Sequence, residues 1–164
     1  MLPIDAGAAV GRARLDLLLT EYGESHQDRT NKLVHWLCVP LITWCAVALL
    51  WCLPEPRLAT ALRINWAVAA ILICLLYYAR FGLPIVLGMA FALASMAAAA
   101  AGLYAAGLPV ARLAAGLFIA AWIGQFIGHK IEGKKPSFLR DIQFLLIGPL
   151  WLLTHIFRRF GVCY

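Results

Sequence analysis

The chain has 164 residues, of which 63% are hydrophobic and only 13% charged, and its mean hydropathy is +0.83. A water-soluble domain of this size cannot hide so much apolar surface, which excludes a small soluble enzyme or binding module and makes the bilayer the solvent for much of the chain. The net charge of +6 comes from cations set between apolar runs; this fits membrane topology and anionic lipid headgroups, and no basic stripe with interleaved aromatics points to nucleic acid.

The opening stretch carries Asp5, Asp16, Glu21, Glu24 and Asp28 and lacks a continuous apolar core with a small-residue cleavage site, so the first membrane segment is expected to stay in the mature protein. Residues 12–25 predict a short amphipathic helix lying along the interface. Leu15, Leu18, Leu19 and Tyr22 share one face, opposed by Arg14, Asp16, Glu21 and Glu24. After the polar break Gln27-Asp28-Arg29, Thr30 is placed to cap the next helix. Residues 33–53 are nearly free of charge and long enough to cross about 30 Å of hydrocarbon, with Pro40 expected to kink the helix near its entry.

Residues 64–81 predict a second span, and Arg80, Gly82 and Pro84 mark a tight turn after it. Residues 85–106 predict a third, rich in Ala, Gly and Ser and suited to close helix contact. Residues 110–128 predict a fourth, followed by a charged loop over 130–141. The last run, 142–157, is short for a span and carries Gly148-Pro149 at its centre, which suits a re-entrant hairpin, an interfacial helix or a fifth segment.

The fold expected is therefore all-α: one membrane domain over residues 1–164, an integral helical bundle of four transmembrane helices with an N-terminal amphipathic helix and a short C-terminal re-entrant or fifth segment. With the N-terminus cytoplasmic and the last segment not crossing, only Arg57, Arg63 and Arg112 among the cations face outward. The five cysteines form no C-x-x-C pair; Cys38, Cys45 and Cys52 recur every seven residues, as packing residues on one helix face would. The tryptophans, Trp36, Trp51 and Trp151 among them, suit an interfacial belt.

All four histidines lie at or near the ends of apolar segments, and none at the centre of one. Tyr22 and His26 share a helical face, as do Asn31 and His35, and as do His129 and Glu132. His26 and His35, nine apart, would oppose each other on an unbroken helix. They can meet on one ion only if the chain bends between them, and the break before Thr30 supplies the bend. In the topology above, His26, His35, His129 and His155 all face the cytoplasmic membrane surface. Imidazoles with few carboxylates and no paired thiolates suit a transition metal better than Mg or Ca. Glu132, Asn31, Tyr22 and Asp28 are available to hold the second ring nitrogens. Lys134 and Lys135 are candidates to hold a carboxylate or phosphate headgroup.

The residues Tyr22-His26-Asn31-His35-Pro40, then Gln125-Phe126-Gly128-His129-Glu132-Pro136 and Gly148-Pro149, resemble the pattern of the small membrane proteins related to yeast Mpo1. The resemblance covers both ends of the chain, roughly residues 15–55 and 120–160, with matching segment order between them. It implies an Fe(II)-dependent dioxygenase that uses O₂ to shorten long-chain 2-hydroxy fatty acids by one carbon, a step of fatty acid α-oxidation, in the endoplasmic reticulum of eukaryotic relatives and in the inner membrane for a bacterial member. By the same resemblance His26, His35 and His129 are the iron ligands, and Glu132 or Tyr22 orients ligands or relays a proton. Where the family pattern leads one to expect an acidic residue after the Gly-Pro turn, this chain has His155, a candidate fourth ligand. A di-iron lipid hydroxylase needs more histidines than the four present. The competing class is a non-enzymatic transport or scaffold protein that binds metal or protons, although no acid lies inside a predicted span to form an ion path.

Overall fold

The computed structural model describes residues 4–54, 65–136 and 141–164. Among these are six α-helices and no strand: α1 (Ile4–Glu24), α2 (Arg29–Trp51), α3 (Trp66–Tyr78, extended by a 3-10 turn over Ala79–Phe81), α4 (Leu83–Ala105), α5 (Val110–Glu132) and α6 (Phe144–Arg159). Three of them, α2, α4 and α5, are long and apolar enough to cross a membrane, each with 23 residues, or about 35 Å at 1.5 Å per residue. Large apolar side chains such as Leu37, Leu76, Phe91 and Ile119 point outward from the bundle, a surface that suits lipid and not water. α3 is shorter, and the start of the predicted 64–81 span lies outside the described residues, as do Arg57, Arg63 and Arg140.

The pair α2 and α5 forms the centre, and small residues permit their close approach. A Cβ on Gly124 would lie 2.9 Å from Cys38 Sγ, and one on Gly128 would lie 2.6 Å from Asn31 Oδ1. At the other end of the pair, Cys45 and Ala48 pack with Ala100, Val110 and Ala114. The helices are thus antiparallel, with the start of α2 beside the end of α5. Cys38 and Cys45 are buried packing residues, as their spacing predicts, and Cys52 is half-buried.

α1 is longer than predicted and buries the expected face: Leu15, Leu18, Leu19 and Tyr22 all enter the core. It packs on α6 and on the 3-10 turn. Asp28, and not Thr30, caps α2: its carboxylate accepts from the Thr30 and Asn31 backbone N–H groups at 2.7 and 3.0 Å. An Asp side chain satisfies two of the orphan amides of the first turn.

The predicted break at Gly148-Pro149 is absent, and α6 runs continuously from Phe144 to Arg159. There is no hairpin. Pro149 removes one hydrogen bond, but Ile147, Leu150, Trp151 and Leu152 are buried on both sides of it and hold the helix together. Gly148 has a separate purpose, because a Cβ there would lie 2.9 Å from the Tyr22 hydroxyl. Trp151, expected in an interfacial belt, is instead a core residue against Tyr22 and His26.

Candidate metal centre

The bend between α1 and α2 brings His26 and His35 together. α1 stops at Glu24, the chain turns through Ser25–Asp28, and His26 folds back so that its Nε2 lies 2.8 Å from His35 Nε2. α5 delivers His129 from the opposite side, its ring centre 5.0 Å from His26 and 5.3 Å from His35. All three are buried, and one nitrogen from each lies within 4.8 Å of the others.

The proton positions sharpen the picture. His26 Nδ1–H donates to the Tyr22 carbonyl at 2.6 Å, which leaves Nε2 with a bare lone pair aimed at His35. The Tyr22 hydroxyl lies 2.9 Å from that same His35 Nε2. His129 Nδ1 and His35 Nδ1 are buried with no hydrogen-bond partner. Lone pairs converging in a buried space are costly unless something positive binds them, and a backbone carbonyl on the second nitrogen is the usual partner of a ligating imidazole. Two nitrogens about 3 Å apart also match neighbouring donors on a first-row ion with bonds near 2.1 Å. The residues fit a transition metal.

Burial pushes the His26 imidazole down to about 4, so the ring is neutral, the form that ligates. Burial also holds the Tyr22 phenol well above its usual range; it stays protonated and available as a donor.

Glu132 is not a vertex of the cluster. Its carboxylate accepts from the Gln27 N–H at 2.9 Å, the Asp28 N–H at 2.8 Å and Asn31 Nδ2 at 3.1 Å. Asn31 Nδ2 also donates to the Ser25 carbonyl at 3.0 Å. Together they tie the His26 loop to the end of α5. The predicted fourth helix runs one turn further than expected, which places both His129 and Glu132 in regular helix.

His155 is not brought into the group. Its Nδ1 donates to the Trp151 carbonyl at 2.8 Å, and the Trp151 ring lies 4.0 Å from His155 and 5.7 Å from His26. Lys134 donates to the Glu24 carbonyl at 2.7 Å, a cation at the C-terminal end of α1. Lys135 is exposed beside it.

A narrow cleft opens from His35 and His129, its walls including Tyr22 and Gln125 with apolar Val39 and Phe144. It shares Thr43 and Pro149 with an almost wholly apolar groove that also touches Met89, Leu93 and Leu152. Sequence reasoning gave Gln125 no role and placed Trp151 in a belt away from the site. Trp151 carries no sequence signal that separates it from the other tryptophans. Gln125 has one: it lies one turn before His129 on the same face of α5.

Among the described residues, helices alone, three of them long and apolar enough to cross a membrane, carry a buried three-histidine cluster that could hold a metal ion; as a class, this is a helical protein suited to membrane association. Residues 13–160 match the family model described as 2-hydroxy-palmitic acid dioxygenase Mpo1-like. The chain belongs to that Mpo1-like family, whose name carries a dioxygenase activity on a 2-hydroxy fatty acid. No curated protein and no solved structure matches it.

Proposed function

We propose that the chain is a membrane Fe(II) dioxygenase that shortens long-chain 2-hydroxy fatty acids by one carbon, with His26, His35 and His129 holding the iron. The observation that carries this reading is the convergence of three buried imidazoles beside a cleft that continues into an apolar groove. The family name supplies the substrate class.

Held by His26, His35 and His129, a ferrous ion would supply the Lewis-acid and O₂-activating chemistry of the reaction. The chain's own residues do the rest. The Tyr22 carbonyl fixes the His26 tautomer, and the Tyr22 hydroxyl, beside His35, hands a proton into the cleft. Glu132 and Asn31 hold the loop that carries His26. Lys134 and Lys135, on the rim beside His129, draw in the anionic headgroup. The alkyl tail passes Thr43 and Pro149 into the apolar groove. The overall reaction balances without a second reductant: the 2-hydroxy acid and O₂ give the acid one carbon shorter, CO₂ and water. The C1–C2 bond breaks, and all four electrons go to O₂. The tail moves from lipid to an equally apolar groove and gains little, so the headgroup sets selectivity.

The same reading makes residues 1–164 one membrane domain with the N-terminus and the histidines on the cytoplasmic side, α3 as a fourth crossing and α6 lying against the site, in a bacterial inner membrane. Anaerobic purification in detergent with metal analysis tests the centre. Near-stoichiometric iron is expected in the wild type, lost in His35→Ala and His129→Ala, with O₂-dependent shortening of 2-hydroxypalmitic acid by the loaded wild type alone. Full turnover by iron-free protein would sink the proposal.

A further inference from the structure

Gln125 is buried at 5% exposure on the wall of the cleft that also carries His35 and His129, and its Oε1 has no hydrogen-bond partner. A carboxamide in that position is unfavourable for the empty protein. An orphaned buried acceptor costs about 1–3 kcal/mol, and an apolar side chain of the same length would pack there without that penalty. The polar group therefore answers to something that enters the cleft.

Its chemistry says what. A carboxamide sets an acceptor and an N–H donor side by side in a fixed plane. A 2-hydroxy carboxylic acid carries the complement on neighbouring carbons: a hydroxyl to donate and a carboxylate to accept. An unsubstituted fatty acid lacks the hydroxyl, and an alcohol lacks the carboxylate. Because α5 places Gln125 one turn from His129, the amide meets the headgroup from the side of the cleft and leaves the histidine nitrogens free for the ion.

We propose that Gln125 is a substrate-contacting residue that reads the 2-hydroxyl of the fatty acid and so sets the preference for 2-hydroxy over unsubstituted acids. The inference rests on the proposed function, deepening it with a residue that selects the substrate. Without the amide, the hydroxylated headgroup loses two hydrogen bonds and the unsubstituted one loses only the bond to its carboxylate.

The test is binding without turnover. Iron-loaded protein in detergent, kept anaerobic, is titrated with 2-hydroxypalmitate and with palmitate while tryptophan fluorescence is followed. Wild type is compared with Gln125→Met, which keeps the side-chain volume, and Gln125→Leu, a second apolar replacement in case the first packs poorly. The expected result is a wild-type preference for the hydroxy acid that falls about tenfold in both variants, the worth of one hydrogen bond, with iron content unchanged and palmitate affinity falling less than 2-hydroxypalmitate affinity. A preference that survives intact in both variants overturns the role of Gln125 and leaves the iron dioxygenase reading standing. Equal binding of the two acids by iron-loaded wild type overturns both.

Discussion

The two ends of the α2–α5 pair are built from the same helices by opposite rules. At one end Cys45, Ala48, Ala100, Val110 and Ala114 fill the interface with small apolar side chains and carry no polar side chain. At the other, Asn31, His35, Gln125 and His129 are just as buried, and each carries a polar atom with no partner. The difference teaches where stability ends and function begins. The apolar end is what a helix pair does when only packing matters. The histidine end tolerates several unsatisfied groups that a stability optimum would remove.

The largest effect short of removing a histidine is expected from Glu132→Ala. It deprives the Gln27 and Asp28 amides and the Asn31 side chain of their shared acceptor and releases the loop that carries His26. Loss of such an outer partner commonly lowers metal affinity by about 10–100-fold, and a competitive chelator titration reads the change. Unaltered affinity would mean that the loop is held by packing alone.

Next comes a pair of glycines on one helix. Gly128→Ala drives a methyl to 2.6 Å from Asn31 Oδ1 and 3.3 Å from Val34 Cγ1, whereas a Cβ on Gly116 meets nothing within 4 Å. The first substitution is expected to destabilise by about 1–3 kcal/mol through overpacking and to weaken metal binding by shifting Asn31. Gly116→Ala is expected to be neutral or stabilising by up to about 1 kcal/mol, since glycine disfavours helix. Melting temperatures in one detergent separate the two, and equal shifts would refute a tight contact at the histidine end.

Much of this contrast was legible in the residues. The 3.6-residue period placed Leu15, Leu18, Leu19 and Tyr22 on the buried face of α1, and the nine-residue spacing of His26 and His35 demanded the bend that the chain makes. The misreadings were of a different kind. Spacing tells which face a residue lies on, not which neighbour waits there. Glu132 read as a residue that orients ligands or relays a proton, with no sign of the loop amides it binds, and Trp151 read as a belt residue although it packs on the site. Composition also overstated the breaking power of Gly148-Pro149, because buried side chains on both sides of a proline can hold a helix that the dipeptide alone would end.

The last effect concerns pH, and its sign is definite. In the metal-free protein, burial lowers the His26 pKa from 6.5 to about 4, while in the unfolded chain the ring titrates near its ordinary value of about 6.5. Between these values the unfolded state holds the extra proton. Stability should therefore be level above pH about 6.5 and decline as the pH falls toward about 4, by at most about 1.4 kcal/mol per pH unit from this ring. His26→Gln removes that titration and should make the decline shallower. Cys45→Ala, at the apolar end where the side chain is fully buried, should lower the whole curve by about 1 kcal/mol without changing its slope. Thermal unfolding of the three proteins from pH 7.5 to 4.5 distinguishes the cases. An unchanged slope in His26→Gln would show that the acid sensitivity lies elsewhere; a changed slope in Cys45→Ala would show that the two ends of the helix pair are energetically coupled, so that packing at the apolar end helps hold the histidines in place.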